Sequence, residues 1–124
     1  MASHPSDERV LDALRALRAP LQRAETDLHA LVRDALEAAG LSCRHEVPLG
    51  PRARIDFLCG TTGIEVKRGR VERSRVLDQL RRYAASPELA SLVLVTEHTL
   101  TLPASVGGKP LYQICLNRLW GIAL

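Results

Sequence analysis

The chain has few of the features that mark membrane or disulfide-rich secreted proteins. No apolar run approaches the roughly 20 residues that a membrane-spanning helix needs, and the N-terminal segment MASHPSDERV lacks the apolar stretch of a signal peptide. The three cysteines, Cys43, Cys59 and Cys115, are odd in number and far apart, without a CxxC pair. We therefore expect neither a disulfide framework nor a structural zinc site, and we predict a reducing cytoplasm without membrane attachment.

Aromatic residues and lysines are also scarce. One Phe, one Trp and two Tyr are too few for a platform that stacks the bases of single-stranded nucleic acid. The 17 basic residues include only two lysines, Lys67 and Lys109, so the others are arginines. A GC-rich genome explains such a bias, yet a lysine kept in this background indicates a position that needs a compact ammonium group.

The composition is that of one globular domain. The chain has 124 residues, of which 46% are hydrophobic and 25% charged, with a net charge of +3. A chain of this length buries about two-thirds of its unfolded surface in a single core. Basic residues are concentrated between positions 52 and 82, a segment that suits either phosphate neutralisation or a solvated surface without a partner.

The hydrophobic pattern predicts an α/β fold in which helices cover a mixed sheet. We assign the chain to a single domain, with an N-terminal helix within 1–20, a core over 26–96, and a C-terminal strand and apolar tail over 97–124. The first core helix ends at Gly40. The strands and the later helix follow in the order 41–47, 54–58 and 62–67 (strands), 72–85 (helix), 91–96 and 111–116 (strands), with a loop over 97–110.

The second and third strands form a predicted hairpin around Gly60-Thr61, because Gly supplies the positive φ of a type II′ turn. In this register residue i faces residue 121 − i, and one face carries four apolar residues: Ile55, Phe57, Ile64 and Val66. The other face places Asp56 opposite Glu65, and Arg54 opposite Lys67.

Two carboxylates directly across a ladder repel each other at about 5 Å between Cβ atoms. A divalent ion such as Mg²⁺ between Asp56 and Glu65 would remove this repulsion, since Mg²⁺ takes one or two carboxylates together with waters and phosphate oxygens. In the alternative interpretation, Lys67 and Arg54 simply neutralise two surface acids.

Asp56 followed by Glu65-Val66-Lys67 resembles the D…(D/E)xK signature of the PD-(D/E)xK nuclease superfamily. The surrounding stretches are similar to those of small RecB-like nucleases and archaeal-type Holliday-junction resolvases. Gln79 and Tyr83 resemble the QxxxY motif of the RecB-like branch, and the element order over residues 26–96 is similar to the superfamily's αβββαβ core. The resemblance implies a restriction-endonuclease-like fold.

The resemblance also implies a metal-dependent nuclease and its catalytic residues. Asp56, Glu65 and the Val66 carbonyl would hold Mg²⁺ or Mn²⁺, and Lys67 would act on the attacking water or the transition state. Gln79 and Tyr83 would position the phosphate. Members of the superfamily often carry a further site residue on the first core helix, for which His29 and Glu25 are the candidates.

DNA is the expected substrate, with RNA as an alternative. The arginines expected to bind its backbone are Arg54, Arg68, Arg70, Arg73, Arg75 and Arg82. Many small relatives are homodimers, and the first helix and the apolar tail are candidate interfaces for a homodimer here. The alternative function is a non-cleaving nucleic-acid-binding or assembly module with the same fold.

Overall fold

The computed structural model describes residues 5–21 and 27–121, and it has the α/β architecture expected from the sequence. The elements in chain order are α1 (Pro5–Arg15), α2 (Leu28–Ala38), β1 (Cys43–Gly50), β2 (Ala53–Cys59), β3 (Thr62–Lys67), α3 (Arg73–Ala84), β4 (Ser91–Thr96), β5 (Ser105–Val106), β6 (Lys109–Cys115) and α4 (Leu116–Leu119). The region predicted as a loop over 97–110 contains the short strand β5. Among the helices of the described residues, none is long and apolar enough to cross a membrane.

The strands form one mixed sheet in the order β1-β2-β3-β4-β6-β5. The pairs β1–β2, β2–β3 and β5–β6 are antiparallel, whereas β3–β4 and β4–β6 are parallel. β4 lies inside the sheet, and all six of its residues are buried, as its unbroken apolar sequence predicts. Because β3 and β4 are parallel and adjacent, Lys67 and Thr96 lie side by side at the carboxyl edge of the sheet.

Helices cover both faces of this sheet. The apolar stripes of α1 and α2 pack on one face, with Phe57, Ile64 and Val66 from the strands. The apolar stripe of α3 packs on the opposite face. The apolar residues of α1 are therefore used inside the chain, where Val10 and Leu14 are almost completely buried.

Both ends of α2 are capped, and its C-terminal end lies next to Gly40, as predicted. The Asp27 side chain accepts a hydrogen bond from the Ala30 backbone N–H at 3.1 Å, which satisfies one of the free donors of the first turn. The helix is followed by Gly40 at φ +73°, a left-handed conformation that glycine adopts without steric cost. His29 is thereby fixed in the first turn of the helix.

A buried polar cluster attaches α1 to the edge of the sheet opposite Lys67. The Asp7 carboxylate is 2% exposed and accepts hydrogen bonds from Thr62 Oγ1 and Ser91 Oγ, each at 2.6 Å. The Tyr112 hydroxyl donates to its other oxygen at 3.4 Å. A buried carboxylate is stable in such a place only when hydroxyl or amide donors surround it, so this cluster fixes the position of α1.

The expectation that the chain has no disulfide framework was wrong, because the structure contains one disulfide. Cys43 of β1 and Cys59 of β2 are directly opposite each other in the antiparallel ladder, and they form a disulfide with a Cα–Cα distance of 4.2 Å. Their separation of 16 residues in the sequence did not indicate a disulfide, because only the β1–β2 register brings the two cysteines together. Cys115 is a free thiol.

The C-terminal segment lies against the first helical region. The Trp120 indole N–H donates to the Leu17 carbonyl at 3.2 Å, and the ring packs against the core on the α1 side of the sheet. The last part of the predicted apolar tail, 122–124, lies outside the described residues. The homodimer predicted through the first helix and this tail stays a prediction, although the apolar face of α1 is already covered.

Candidate functional site

The predicted register of the β2–β3 hairpin is confirmed near its turn. Phe57 pairs with Ile64, and Cys59 pairs with Thr62, as the relation 121 − i requires. The ladder ends at the Phe57–Ile64 pair, so Asp56 and Glu65 lie where the two strands separate. The two residues are therefore not paired with each other in the β2–β3 ladder, whereas Glu65 keeps its place in the ladder with β4.

Asp56 and Glu65 bridge the opening between the strands with two reciprocal hydrogen bonds. Asp56 Oδ2 accepts from the Val66 backbone N–H at 2.8 Å. Glu65 Oε1 accepts from the Asp56 backbone N–H at 3.3 Å. Each carboxylate thus takes a backbone donor that a regular ladder would have used, and the two acidic side chains are held at the same level of the sheet.

One sequence expectation about this hairpin was wrong. Ile55 and Phe57 do not share a face, because Phe57 packs on the side of α1 and α2 and Ile55 packs on the side of α3. The same reversal occurs in β1, where Cys43 and Val47 pack on opposite sides. Asp56 lies at the level of the reversal, which explains why its side chain reaches both the β3 backbone and α2.

Glu65 is a buried acid in an unfavourable electrostatic environment. Its side chain is 5% exposed, and the pKa of its carboxyl group is raised from the ordinary 4.5 to about 7. Burial is the largest cause and the charge of Asp56 the second, whereas Lys67 opposes them through its charge and a hydrogen bond. Buried acids with raised pKa values are typical of functional sites, because the protein keeps them at a cost in stability.

Lys67 completes the group at the carboxyl end of β3. Its Nζ lies 3.2 Å from Glu65 Oε2, and its side chain is 26% exposed, so the ammonium group reaches both the buried acid and solvent. The other lysine has a structural role, since Lys109 Nζ donates to the Ser86 carbonyl at 2.6 Å, just beyond the end of α3. Both lysines therefore occupy positions where a single ammonium group has a defined acceptor.

His29 of α2 is the first-helix candidate that the structure brings to this group. Its Nε2 lies 3.3 Å from Asp56 Oδ2, and its side chain is 56% exposed. Its ring lines an open cleft of about 210 Å³ together with His45, Glu46 and Asp56. The other candidate, Glu25, lies outside the described residues.

Gln79 and Tyr83 of α3 differ in how deeply their side chains are buried. Gln79 is half-buried and lines a cleft of about 360 Å³ with Lys67, Arg75 and Arg82. Tyr83 is completely buried, and its hydroxyl donates to the Arg54 carbonyl at 2.8 Å. Burial and then the nearby Glu65 raise the pKa of Tyr83 well above its usual value, so its hydroxyl stays protonated and acts as a donor.

The six arginines predicted to bind a nucleic acid backbone are all solvent-exposed: Arg54, Arg68, Arg70, Arg73, Arg75 and Arg82. Several make contacts within the protein. Arg75 Nε lies 3.2 Å from Glu72 Oε2, and Arg73 Nε donates to the Thr101 carbonyl at 2.6 Å. These contacts are on the surface and weak, so they leave the guanidinium groups accessible to phosphates.

The donor set suits a hard divalent cation that keeps most of its water ligands. Within residues 5–21 and 27–121, no three or more His, Cys, Asp or Glu side chains are grouped so as to hold a metal ion. Mg²⁺ does not require such a group, because one or two carboxylates suffice when waters and substrate phosphates supply the other ligands. Burial and then the charge of Asp56 raise the pKa of Glu65, and a cation beside Asp56 would relieve the second of these two causes.

Comparisons with protein-family models, with curated proteins and with solved structures find no match to this chain. Membership of the PD-(D/E)xK superfamily therefore stays a prediction.

Sequence reasoning missed two residues beside this site. Glu97 directly follows β4, and its Oε1 accepts from the Gly69 backbone N–H at 2.6 Å, which fixes the turn after Lys67. An acid directly after a buried parallel strand, next to the strand that ends in Lys67, was the signal available for it. Glu46 of β1 has a left-handed backbone with φ +48°, and nothing in its sequence context indicates this.

Proposed function

We propose that the protein is a divalent-metal-dependent phosphodiesterase that hydrolyses DNA, of the PD-(D/E)xK type with a restriction-endonuclease-like core. The observation that carries the proposal is the joint placement of Asp56, Glu65 and Lys67 where the β2–β3 hairpin opens. A buried acid whose pKa is raised to about 7 beside a second acid is typical of functional sites and supports the proposal. The succession α2, β1, β2, β3, α3, β4 supports the fold assignment.

In this proposal Asp56 and Glu65 hold the cation, with the Val66 carbonyl as a further ligand. When bound, the cation supplies Lewis acidity to the scissile phosphate and lowers the pKa of a nearby water. Lys67 places its ammonium group beside Glu65, where it orients the attacking water or stabilises the negative charge of the transition state. His29 orients Asp56 from the α2 side.

The cleft between Lys67 and α3 is the proposed path of the phosphate backbone. Gln79 lines it and can donate its amide N–H to a phosphate oxygen, and Arg75 and Arg82 flank it. Tyr83 supports this path from beneath by holding the β2 backbone at Arg54. Because the contacts are to phosphates, binding is expected to weaken steeply as salt concentration rises.

The test is cleavage of labelled duplex, single-stranded, flap and four-way-junction DNA with Mg²⁺ or Mn²⁺. We expect metal-dependent cleavage that is lost in Asp56→Asn, Glu65→Gln and Lys67→Met. Arg9→Gln is the control, because it removes one exposed positive charge on α1, away from the carboxyl edge of the sheet. Cleavage that persists in all three site variants would refute the proposal, as would a wild-type protein that cleaves none of the substrates.

The second candidate is a non-cleaving nucleic-acid-binding or assembly module. It is favoured by the exposed Arg75 and Arg82 beside the cleft between Lys67 and α3, because such arginines bind phosphates without a metal ion. Salt-sensitive DNA binding that is unchanged in Asp56→Asn and Glu65→Gln, without cleavage under any metal condition, would support this module.

A further inference from the structure

In both β1 and β2, the apolar side chains change from one face of the sheet to the other, and they do so at the same level of the sheet. Val47 pairs with Ile55 and His45 pairs with Phe57, so the register is the same on both sides of the reversal. The intervening pair, Glu46 with Asp56, is missing from the ladder. No residue is inserted in either strand, so the change of facing comes from backbone rotation and not from an extra residue of the bulge type.

Glu46 provides this rotation. Its φ of +48° lies in the left-handed region, which side chains with a Cβ atom rarely adopt and which glutamate has no local hydrogen bond to favour. Strained backbone of this kind persists where the surrounding structure imposes it, and it clusters at functional sites. Asp56, the residue opposite Glu46 on β2, has no ladder partner on β1 at this level.

The position of Asp56 follows from that loss. In a regular strand its side chain would alternate with Ile55 and Phe57 and point to one face of the sheet. Instead Asp56 Oδ2 reaches the Val66 N–H at 2.8 Å and His29 Nε2 at 3.3 Å, contacts that lie on β3 and on α2. Its own N–H is free to donate to Glu65.

We propose that Glu46 is a positioning residue whose left-handed backbone places the Asp56 carboxylate in the site. Its side-chain carboxylate is not required for this role. The inference rests on the proposed function where Asp56 is taken as a metal ligand. The placement of Asp56 itself can be measured without any metal.

The test compares Glu46→Gly, Glu46→Val and Arg44→Val. Glycine accepts φ +48° without strain, whereas a β-branched residue opposes it. Arg44 is the matched control, because it is exposed on the same strand and has no left-handed backbone. The first readout is hydrogen exchange of the Val66 amide relative to the Val93 amide of β4, which reports on the contact with Asp56 at fixed global stability.

We expect Glu46→Val to lower the relative protection of the Val66 amide by about tenfold or more. Glu46→Gly is expected to keep this protection and to raise the midpoint of thermal unfolding, and Arg44→Val is expected to keep it too. Unchanged protection in Glu46→Val, or equal losses in Glu46→Gly and Glu46→Val, would overturn the inference. If Glu46→Val does not fold, Glu46→Ala takes its place, because its Cβ also opposes the left-handed backbone.

The second readout is Mn²⁺ affinity, which we expect to fall in Glu46→Val and to stay unchanged in Glu46→Gly and Arg44→Val. A wild-type protein that binds no Mn²⁺ would refute the proposed metal site, while the amide exchange would still decide the role of Glu46. Failure of the proposed metal site can therefore be distinguished from failure of the role inferred for Glu46.

Discussion

Replacing Glu65 by glutamine should stabilise the protein at alkaline pH and remove part of its pH dependence. The pKa of Glu65 is raised from 4.5 to about 7 in the folded state. Between these two pH values the folded state keeps a proton that the unfolded state has released. The free energy of unfolding therefore falls as pH rises through this window.

The size of the effect follows from the shift. A difference of this size between the folded and unfolded pKa corresponds to about 3 kcal/mol lost between pH 4.5 and pH 7, at 1.36 kcal/mol per pKa unit. Glutamine resembles the protonated acid and does not ionise. Because Lys67 loses its ionic partner in the variant, we expect a net gain of about 1–2 kcal/mol at pH 8 and almost no difference at pH 5.

Urea unfolding of the wild-type protein and Glu65→Gln at pH 5 and pH 8, without divalent cations, measures this difference. Glu37→Gln is the matched control, because Glu37 is exposed on α2 and its loss should change stability equally at both pH values. The reasoning would be refuted if Glu65→Gln were less stable than the wild type at pH 8. It would also be refuted if the difference between the two proteins did not depend on pH.

Three further predictions concern the fold. Asp7→Ala leaves two buried hydroxyl groups without their acceptor, so urea unfolding should show a loss of about 2–4 kcal/mol, and a loss below about 0.5 kcal/mol would contradict the role of this cluster. Gly63→Ala places a Cβ atom 2.5 Å from side-chain carbons of Ile55 and Leu89, so the free energy of unfolding should fall by about 1–3 kcal/mol in the same assay. An unchanged midpoint of urea unfolding would contradict the close packing around Gly63. Reduction of the Cys43–Cys59 disulfide should lower the free energy of unfolding by about 3 kcal/mol, the value for a loop of roughly 15 residues. Cys115→Ser should show the same response to dithiothreitol as the wild type, whereas no response in either protein would contradict the pairing.

Much of the fold could be predicted because the local signals agreed with one another. The helical periodicity and Gly40 predicted α2, and the unbroken apolar run predicted the buried β4. The Gly60-Thr61 turn predicted the β2–β3 register that the structure has from the turn to the Phe57–Ile64 pair. Each of these features depends on residues that are close together in sequence.

The features that escaped prediction depend on contacts between distant segments or on a backbone angle. The Cys43–Cys59 disulfide exists because β1 pairs with β2 in one particular register. The reversal that separates Ile55 from Phe57 lies opposite Glu46, whose left-handed φ belongs to a residue type with no preference for that conformation.

The depth of side chains on α3 was likewise not predictable. Gln79 and Tyr83 are one turn apart, and helical spacing correctly suggests that they project on the same side. Spacing does not reveal that Tyr83 is completely buried while Gln79 lines a cleft, because burial depends on how α3 lies on the sheet. The sequence therefore indicated candidate residues for the site, but it did not indicate their burial or their mutual contacts.

The most direct test of the central claim is a titration of the metal-free protein with Mn²⁺, followed by electron paramagnetic resonance at pH 8. The account predicts bound Mn²⁺ in the wild type and in Glu37→Gln, and strongly weakened binding in Asp56→Asn and Glu65→Gln. Absence of binding in the wild type, or equal binding in all four proteins, would contradict the claim that Asp56 and Glu65 form a metal site.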